Sequence, residues 1–184
     1  MVISMVVIMA AVIAWVAMVP RVREISRPAV DATSVALQVR QDTGWPISAP
    51  HLPAGWKATN ARFESSAGGV RTWHAGYLSP DGQYLSIDQT EVRSATPSWV
   101  AGRTANGRAE GTLAAAGTTW RKLSSPDIVQ RSLVSTGTLS SGPGSKAPLS
   151  KGSGESDLTT VLSGTAPYAE LAQFARDLRP VPNS

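Results

Sequence analysis

The stretch TNARFESSAGGVRTWHAGYLSPDGQYLSIDQTE, residues 59–91, decides the fold class. Successive side chains of a strand point to opposite faces, so a half-buried strand shows a period of two. From 59 to 65, Thr59, Ala61, Phe63 and Ser65 fall on one side and Asn60, Arg62 and Glu64 on the other. Gly68-Gly69 then turns the chain. Residues 70–78 repeat the pattern, with Arg71, Trp73, Ala75 and Tyr77 sharing a face. Pro80-Asp81-Gly82 is a tight-turn signal, and residues 84–91 read as a third strand with Leu85 and Ile87 together. Three strands joined by short turns predict an antiparallel meander.

Downstream of the meander, Thr96-Pro97 is a cap followed by proline at the first helical position, which predicts a short helix to about Thr104. Strands follow near residues 108–114, 118–123, 129–136 and 158–164. Residues 139–155, rich in Gly, Ser, Pro and Lys and without periodicity, read as a flexible loop. Pro167 opens the best amphipathic segment of the domain, with Leu171, Phe174, Ala175 and Leu178 at helical spacing, and Pro180 and Pro182 close it. Upstream, Asp31 is placed to cap a helix over 32–41 that carries Val35, Ala36 and Val39 on one side, and Gly44 is placed to end it. Trp45-Pro46 leaves in extended form, and residues 52–56 are a turn into the first strand of the meander. The expected fold is α+β: a twisted antiparallel sheet of six or seven strands with helices packed on one face, the C-terminal helix being the main cover.

Residues 1–19 contain no charged side chain; Ser4 is the clearly polar one, and Trp15 lies near the end, where an interfacial ring is favoured. About 20 apolar residues cross a bilayer core, so the run predicts an N-terminal transmembrane helix. A cleaved signal peptide is the alternative, but no Ala-x-Ala site follows the apolar run. The chain therefore divides into an anchor (1–20), a basic juxtamembrane collar (21–30) containing Arg21, Arg23 and Arg27, and a single domain (31–184). Read by the positive-inside rule, those arginines place the domain in the cytoplasm.

The net charge of +4 sits half in the collar. From Pro28 onward 14 basic and 12 acidic residues leave only +2, too little for a nucleic-acid footprint. The absence of cysteine excludes disulfides, thiol nucleophiles and thiolate metal sites.

The candidate chemistry is thin. The two histidines, His51 and His74, fall on different elements with no H-x-x-x-H or H-x-E spacing, so no metal and no cofactor is expected. A hydrolase would need His51 or His74 as base, with Asp81 or Asp88 to orient His74, but no G-x-S-x-G elbow accompanies either. Asp88 and Glu91 lie three apart, on opposite faces of a strand, and make no glycosidase-like pair. The glycine-rich stretches 141–144 and 152–154 follow no phosphate-loop pattern. Six tryptophans are the unusual resource. Trp73 and Tyr77 share a face that Trp56 and Trp120 can join, either as sheet core beneath the last helix or as an exposed aromatic binding surface.

Further pieces of the chain are 43–47 (TGWPI), 52–62 (LPAGWKATNAR), 73–82 (WHAGYLSPDG) and Gly164-Thr165-Ala166 ahead of Ala169-Glu170-Leu171. In this order, after an N-terminal span, they resemble the actinobacterial membrane-associated family catalogued as domain of unknown function 4245. The resemblance covers most of the chain. It implies a membrane protein and supplies no catalytic residues. Members usually carry a charged stretch ahead of the span; its absence implies that the chain starts inside a longer reading frame, with the domain facing outward.

The expected function is a single-pass membrane protein of the cell envelope, bound to lipid through residues 1–19, with its domain extracytoplasmic. The domain is expected to be a non-catalytic binding or scaffolding module for an envelope protein, its surface being the sheet face that the C-terminal helix leaves free, with loop 139–155 at an edge. The alternatives are a carrier of a small apolar ligand or lipid and, behind it, an envelope hydrolase.

Overall fold

The computed structural model describes residues 30–66, 68–136 and 157–182, together with Met5, Ile8, Met9, Val12 and Trp15. Asp31 opens the first helix, α1 (Ala32–Thr43), and its carboxylate accepts the backbone N–H groups of Thr33 and Ser34 at 3.1 Å each. First-turn N–H groups have no partner inside a helix, which is why such a cap forms. Gly44 ends α1 at φ +71°, a left-handed conformation that glycine adopts without strain.

A short strand, β1 (Ser48–Pro50), leads to the meander β2 (Lys57–Ser65), β3 (Arg71–Leu78) and β4 (Tyr84–Glu91). A 3-10 turn (Val92–Ser94) and helix α2 (Pro97–Arg103) precede β5 (Arg108–Ala115), β6 (Thr118–Ser124), β7 (Arg131–Thr136) and β8 (Leu158–Gly164). Helix α3 (Tyr168–Asp177) and the short strand β9 (Leu178–Pro180) close the chain. Seven strands form one sheet in the order β2-β3-β4-β8-β7-β6-β5, every neighbouring pair antiparallel. β1 and β9 pair separately. They are tied to the sheet through Gln89, which accepts the Ser48 N–H at 2.9 Å and donates to the Thr160 hydroxyl at 3.0 Å.

The main core lies on one face of the sheet. Trp73, Ala75, Tyr77, Leu85, Ile87, Trp120, Leu133 and Leu162 point into it. Helix α1 adds Ala32, Ala36 and Val39, and α3 adds Leu171, Ala172, Phe174 and Ala175. Phe174 meets Tyr77 edge-on at 5.5 Å between ring centroids and Trp56 at 6.0 Å. Burying one such ring contributes about 2–3 kcal/mol over leaving it in water.

The α+β class, the seven antiparallel strands and the cover by the C-terminal helix agree with expectation. The placement of all helices on one face does not. Helix α2 lies on the opposite face, where Trp99 packs with Leu123, Val134 and Val161 in a second, smaller core. The physical reason is the content of that face: Thr72, His74, Asp88 and Thr90 are all buried and need cover. With seven residues, α2 is too short for a helical period to show which way it turns.

One register row crosses the whole sheet, through Ala58, Tyr77, Leu85, Gly164, Arg131, Ser124 and Arg108. The described chain enters the domain at this end, where the Val30 N–H reaches the Ala58 carbonyl at 3.4 Å.

Among the described residues no helix is long and apolar enough to cross a membrane. The expected anchor apart from the five isolated positions, the collar apart from Val30, and loop 139–155 lie outside the described residues. Those five are helical, and each leaves more than half of its large apolar side chain exposed.

Candidate functional site

The apolar face of the sheet is closed by α1 and α3, so the accessible chemistry lies on the other face. Alternation puts Arg62 and Glu64 of β2, Thr72 and His74 of β3, and Asp88 of β4 on that face together. His74 pairs in register with Asp88, and its Nδ1 lies 2.8 Å from an Asp88 oxygen, both side chains buried. Arg103, the last residue of α2, reaches the same Asp88 oxygen at 3.3 Å and donates to Glu64 at 2.8 Å. Arg62 donates to the other Glu64 oxygen at 2.6 Å. Burial works against the Glu64 charge, but hydrogen bonds from Arg62 and Arg103 overcome it and hold its carboxyl below the ordinary value. Trp99 of α2 donates its indole N–H to the Thr72 hydroxyl at 2.9 Å. Two arginines, two carboxylates and a tryptophan thus clamp α2 onto the sheet.

A histidine held by a carboxylate is the base-and-orienter pair of a hydrolase. Here the carboxylate is shared with Arg103, and the nearby Ser86 and Ser163 hydroxyls bond to each other at 2.9 Å. His74 is not among the residues lining either of the two clefts on this face. What the arrangement does is fasten a helix. His51 lies exposed beyond β1, away from this cluster in the chain, with its backbone N–H on the Asp177 carbonyl at 2.8 Å. Among the described residues no group of three His, Asp or Glu side chains is placed to hold a metal ion.

The larger cleft has a volume of about 720 Å³ and opens between α2 and strands β5–β8. Val92, Ala95, Val100, Leu123 and Val134 make its apolar wall, with Arg121, Asn106 and Thr136 among its polar lining. Such a mixture, mostly apolar with a few placed polar groups, is what a binding groove needs. A smaller cleft of about 510 Å³ lies on the other side of α2, lined by Val70, Trp99 and Arg103 among others.

The aromatic candidates go elsewhere. Trp73, Tyr77 and Trp120 are buried in the main core, and Trp56 is half-buried against Phe174. They form sheet core beneath the last helix rather than an exposed platform, because the face they share is the one α3 covers. Arg21, Arg23 and Arg27 lie outside the described residues. The cleft lies on the sheet face that the C-terminal helix leaves free, the expected binding surface, but neither the cleft itself nor the Arg103–Asp88 contact was among the sequence-based candidates. The period of two did place Arg62 and Glu64 on one side of their strand, but their meeting with His74 comes from the register of β2 on β3, and nothing local places Arg103 over them.

Compared with known proteins, residues 1–178 match the family described as protein of unknown function (DUF4245), and the chain belongs to that family. No curated protein matches it. A solved structure, "The complex structure of Pseudomonas aeruginosa MucA/MucB", is similar at 11% identity with a TM-score of 0.41, over 73% of this chain and 35% of that one. The chain thus spans about a third of the length of that solved chain.

Proposed function

We propose that this DUF4245 protein is a membrane-tethered, non-catalytic binding module of the cell envelope, and that its binding surface is the larger cleft beside α2. One observation carries the reading: the sheet has one face closed by two helices and another with an open, largely apolar cleft of about 720 Å³. The occupant that suits it is an apolar segment of an envelope protein, seated on Val100, Leu123 and Val134 with Arg121 available to a polar group beside it. Val100→Asp would put a charge on the wall of the cleft at a half-buried position. The expected result is loss of partner capture by the full chain with the fold retained by circular dichroism. Capture that survives Val100→Asp unchanged overturns the assignment.

The tether reading rests on residues 1–19, which carry no charge, and on Met5, Ile8, Met9, Val12 and Trp15, apolar helical positions with most of their surface uncovered. Side chains of that kind are satisfied by lipid and not by water. We place the domain on the extracytoplasmic side, as the family likeness implies, against the cytoplasmic side that Arg21, Arg23 and Arg27 alone would favour. Protease added to intact cells should then digest the domain; protection until lysis would reverse the placement.

A carrier of a small apolar molecule is the second reading, favoured by the cleft volume, which exceeds the roughly 300 Å³ at which ligand sites begin. Native mass spectrometry of detergent-purified protein tests it. A co-bound molecule that Val100→Asp removes supports a carrier, and bare protein opposes it.

A further inference from the structure

We infer that the end of the sheet where the chain enters the domain is a second lipid contact, made by Ile128 and Val129 at the tip between β6 and β7. This rests on the tether reading above.

Ile128 and Val129 are 56% and 73% exposed, adjacent, and in the loop that joins β6 and β7. Their exposure is held in place. The Ser125 hydroxyl donates to the Ala105 carbonyl at 2.9 Å and accepts the Asp127 and Ile128 N–H groups at 3.3 and 3.4 Å. The Gln130 side chain donates to the Arg103 carbonyl at 3.0 Å, and the Ser125 N–H reaches the Gln130 carbonyl at 3.0 Å. The N–H groups of Ser125, Asp127, Ile128 and Gln130 thus find acceptors within the loop, and two branched aliphatic side chains are presented outward on a braced loop. Those four N–H groups would keep their partners if the tip entered a headgroup layer, where the remaining polar groups still meet water and headgroups.

The second observation is position. The tip lies just beyond Ser124 and Arg131, which belong to the same register row as Ala58, next to which Val30 enters. Four strand spacings separate β2 from β7, so entry point and tip lie about 20 Å apart along one end of the sheet. The ten residues 20–29 reach at most about 35 Å. An anchor ahead of them keeps this end of the sheet close to the bilayer. Leu78, 37% exposed, and Lys57 flank the entry at the same end, and Arg108 and Arg131 flank the tip. Asp81 and Asp127 lie there too, so the charge balance is only weakly basic and the contact is chiefly apolar. Two aliphatic side chains alone would bind a bilayer poorly. Tethering makes the encounter intramolecular, so a weak contact suffices to orient the domain. With that end on the membrane, the cleft beside α2 would open sideways, reachable by an envelope partner.

The cysteine-free sequence makes the test clean, since a single introduced cysteine labels uniquely. Full-length Val129→Cys and Thr119→Cys, the latter at the opposite end of the sheet, would carry an environment-sensitive dye in nanodiscs of mixed phosphatidylcholine and phosphatidylglycerol. The expected result is a blue-shifted label at 129, quenched several-fold more by a lipid-borne quencher than the label at 119, with the difference abolished by Ile128→Asp. A label at 129 as solvent-exposed as that at 119, in protein that remains in the discs, overturns the contact and leaves the tether standing. Protein that never enters the discs overturns the tether, and the contact with it.

Discussion

The two faces of the sheet are made by the same strands and differ in what their alternate residues need. Along β3, Trp73, Ala75 and Tyr77 enter an apolar layer under α1 and α3, while Thr72, His74 and Gly76 turn the other way. Both sets are buried, so polarity did not make the second face a solvent face. It made a face whose cover is held by hydrogen bonds and ion pairs and is incomplete, and the incomplete part is the cleft. Apolar packing closes a surface without regard to direction, whereas a charged clamp fixes one helix in one place and leaves its flanks open.

The largest effect that would test this contrast is on the packed face. Trp73→Ala removes a fully buried indole from the centre of the core and should cost about 3–5 kcal/mol in urea unfolding. A loss well under that would mean that the apolar face is not the stabilising one. Next comes the clamp. Asp88→Asn keeps the shape but takes away the charge opposing Arg103 and beside His74, and should cost about 2–3 kcal/mol. His74→Ala should likewise lower stability, with partner capture unchanged once folded. Abolished function in a fully folded His74 variant would revive an enzymatic reading.

The acid response is smaller and has a definite sign. Glu64 has a lowered carboxyl pKa in the folded state, so its stabilisation is complete above its ordinary value of 4.5 and is lost as the pH falls toward its folded pKa. Unfolding curves of Glu64→Gln should therefore show a shallower acid slope than the parent chain below that pH. An identical slope would mean that the clamp is electrostatically inert. The smallest effect belongs to the cap of α2, where the Thr96 hydroxyl accepts the Trp99 N–H at 3.2 Å. Thr96→Ala should cost about 1 kcal/mol and be felt most in local hydrogen exchange over α2.

The period of two made most of this fold legible. Within each strand it separated Ala61 and Phe63 from Arg62 and Glu64, and Trp73, Ala75 and Tyr77 from the residues between them; which face met which became visible only with the pairing of β2 and β3. The caps at Asp31, Gly44 and Thr96 could be read because each satisfies orphan backbone groups using neighbours in sequence. The short β1–β9 pair was not legible, since three-residue strands held by Gln89 and by each other carry no pattern. The face chosen by α2 was not legible either. It depends on Arg103 meeting Glu64, 39 residues away, and Asp88, 15 residues away, and no local spacing encodes that meeting. The sheet face left free by the last helix could be named as a binding surface, but the cleft on it could not, because its place depends on where α2 sits. The tryptophans, unusually many for this length, went where large aromatics most often go, into the core.

The central claim is that the open face, not the closed one, meets the partner. Site-specific photo-crosslinking in living cells compares the faces directly, with the reactive side chain at Ala109, exposed in the cleft lining, or at Gln173, exposed on α3. The expected result is a discrete adduct from position 109 that Val100→Asp removes, and none of comparable yield from position 173. An adduct from 173 alone, or adducts of equal yield from both positions that Val100→Asp leaves intact, would contradict it.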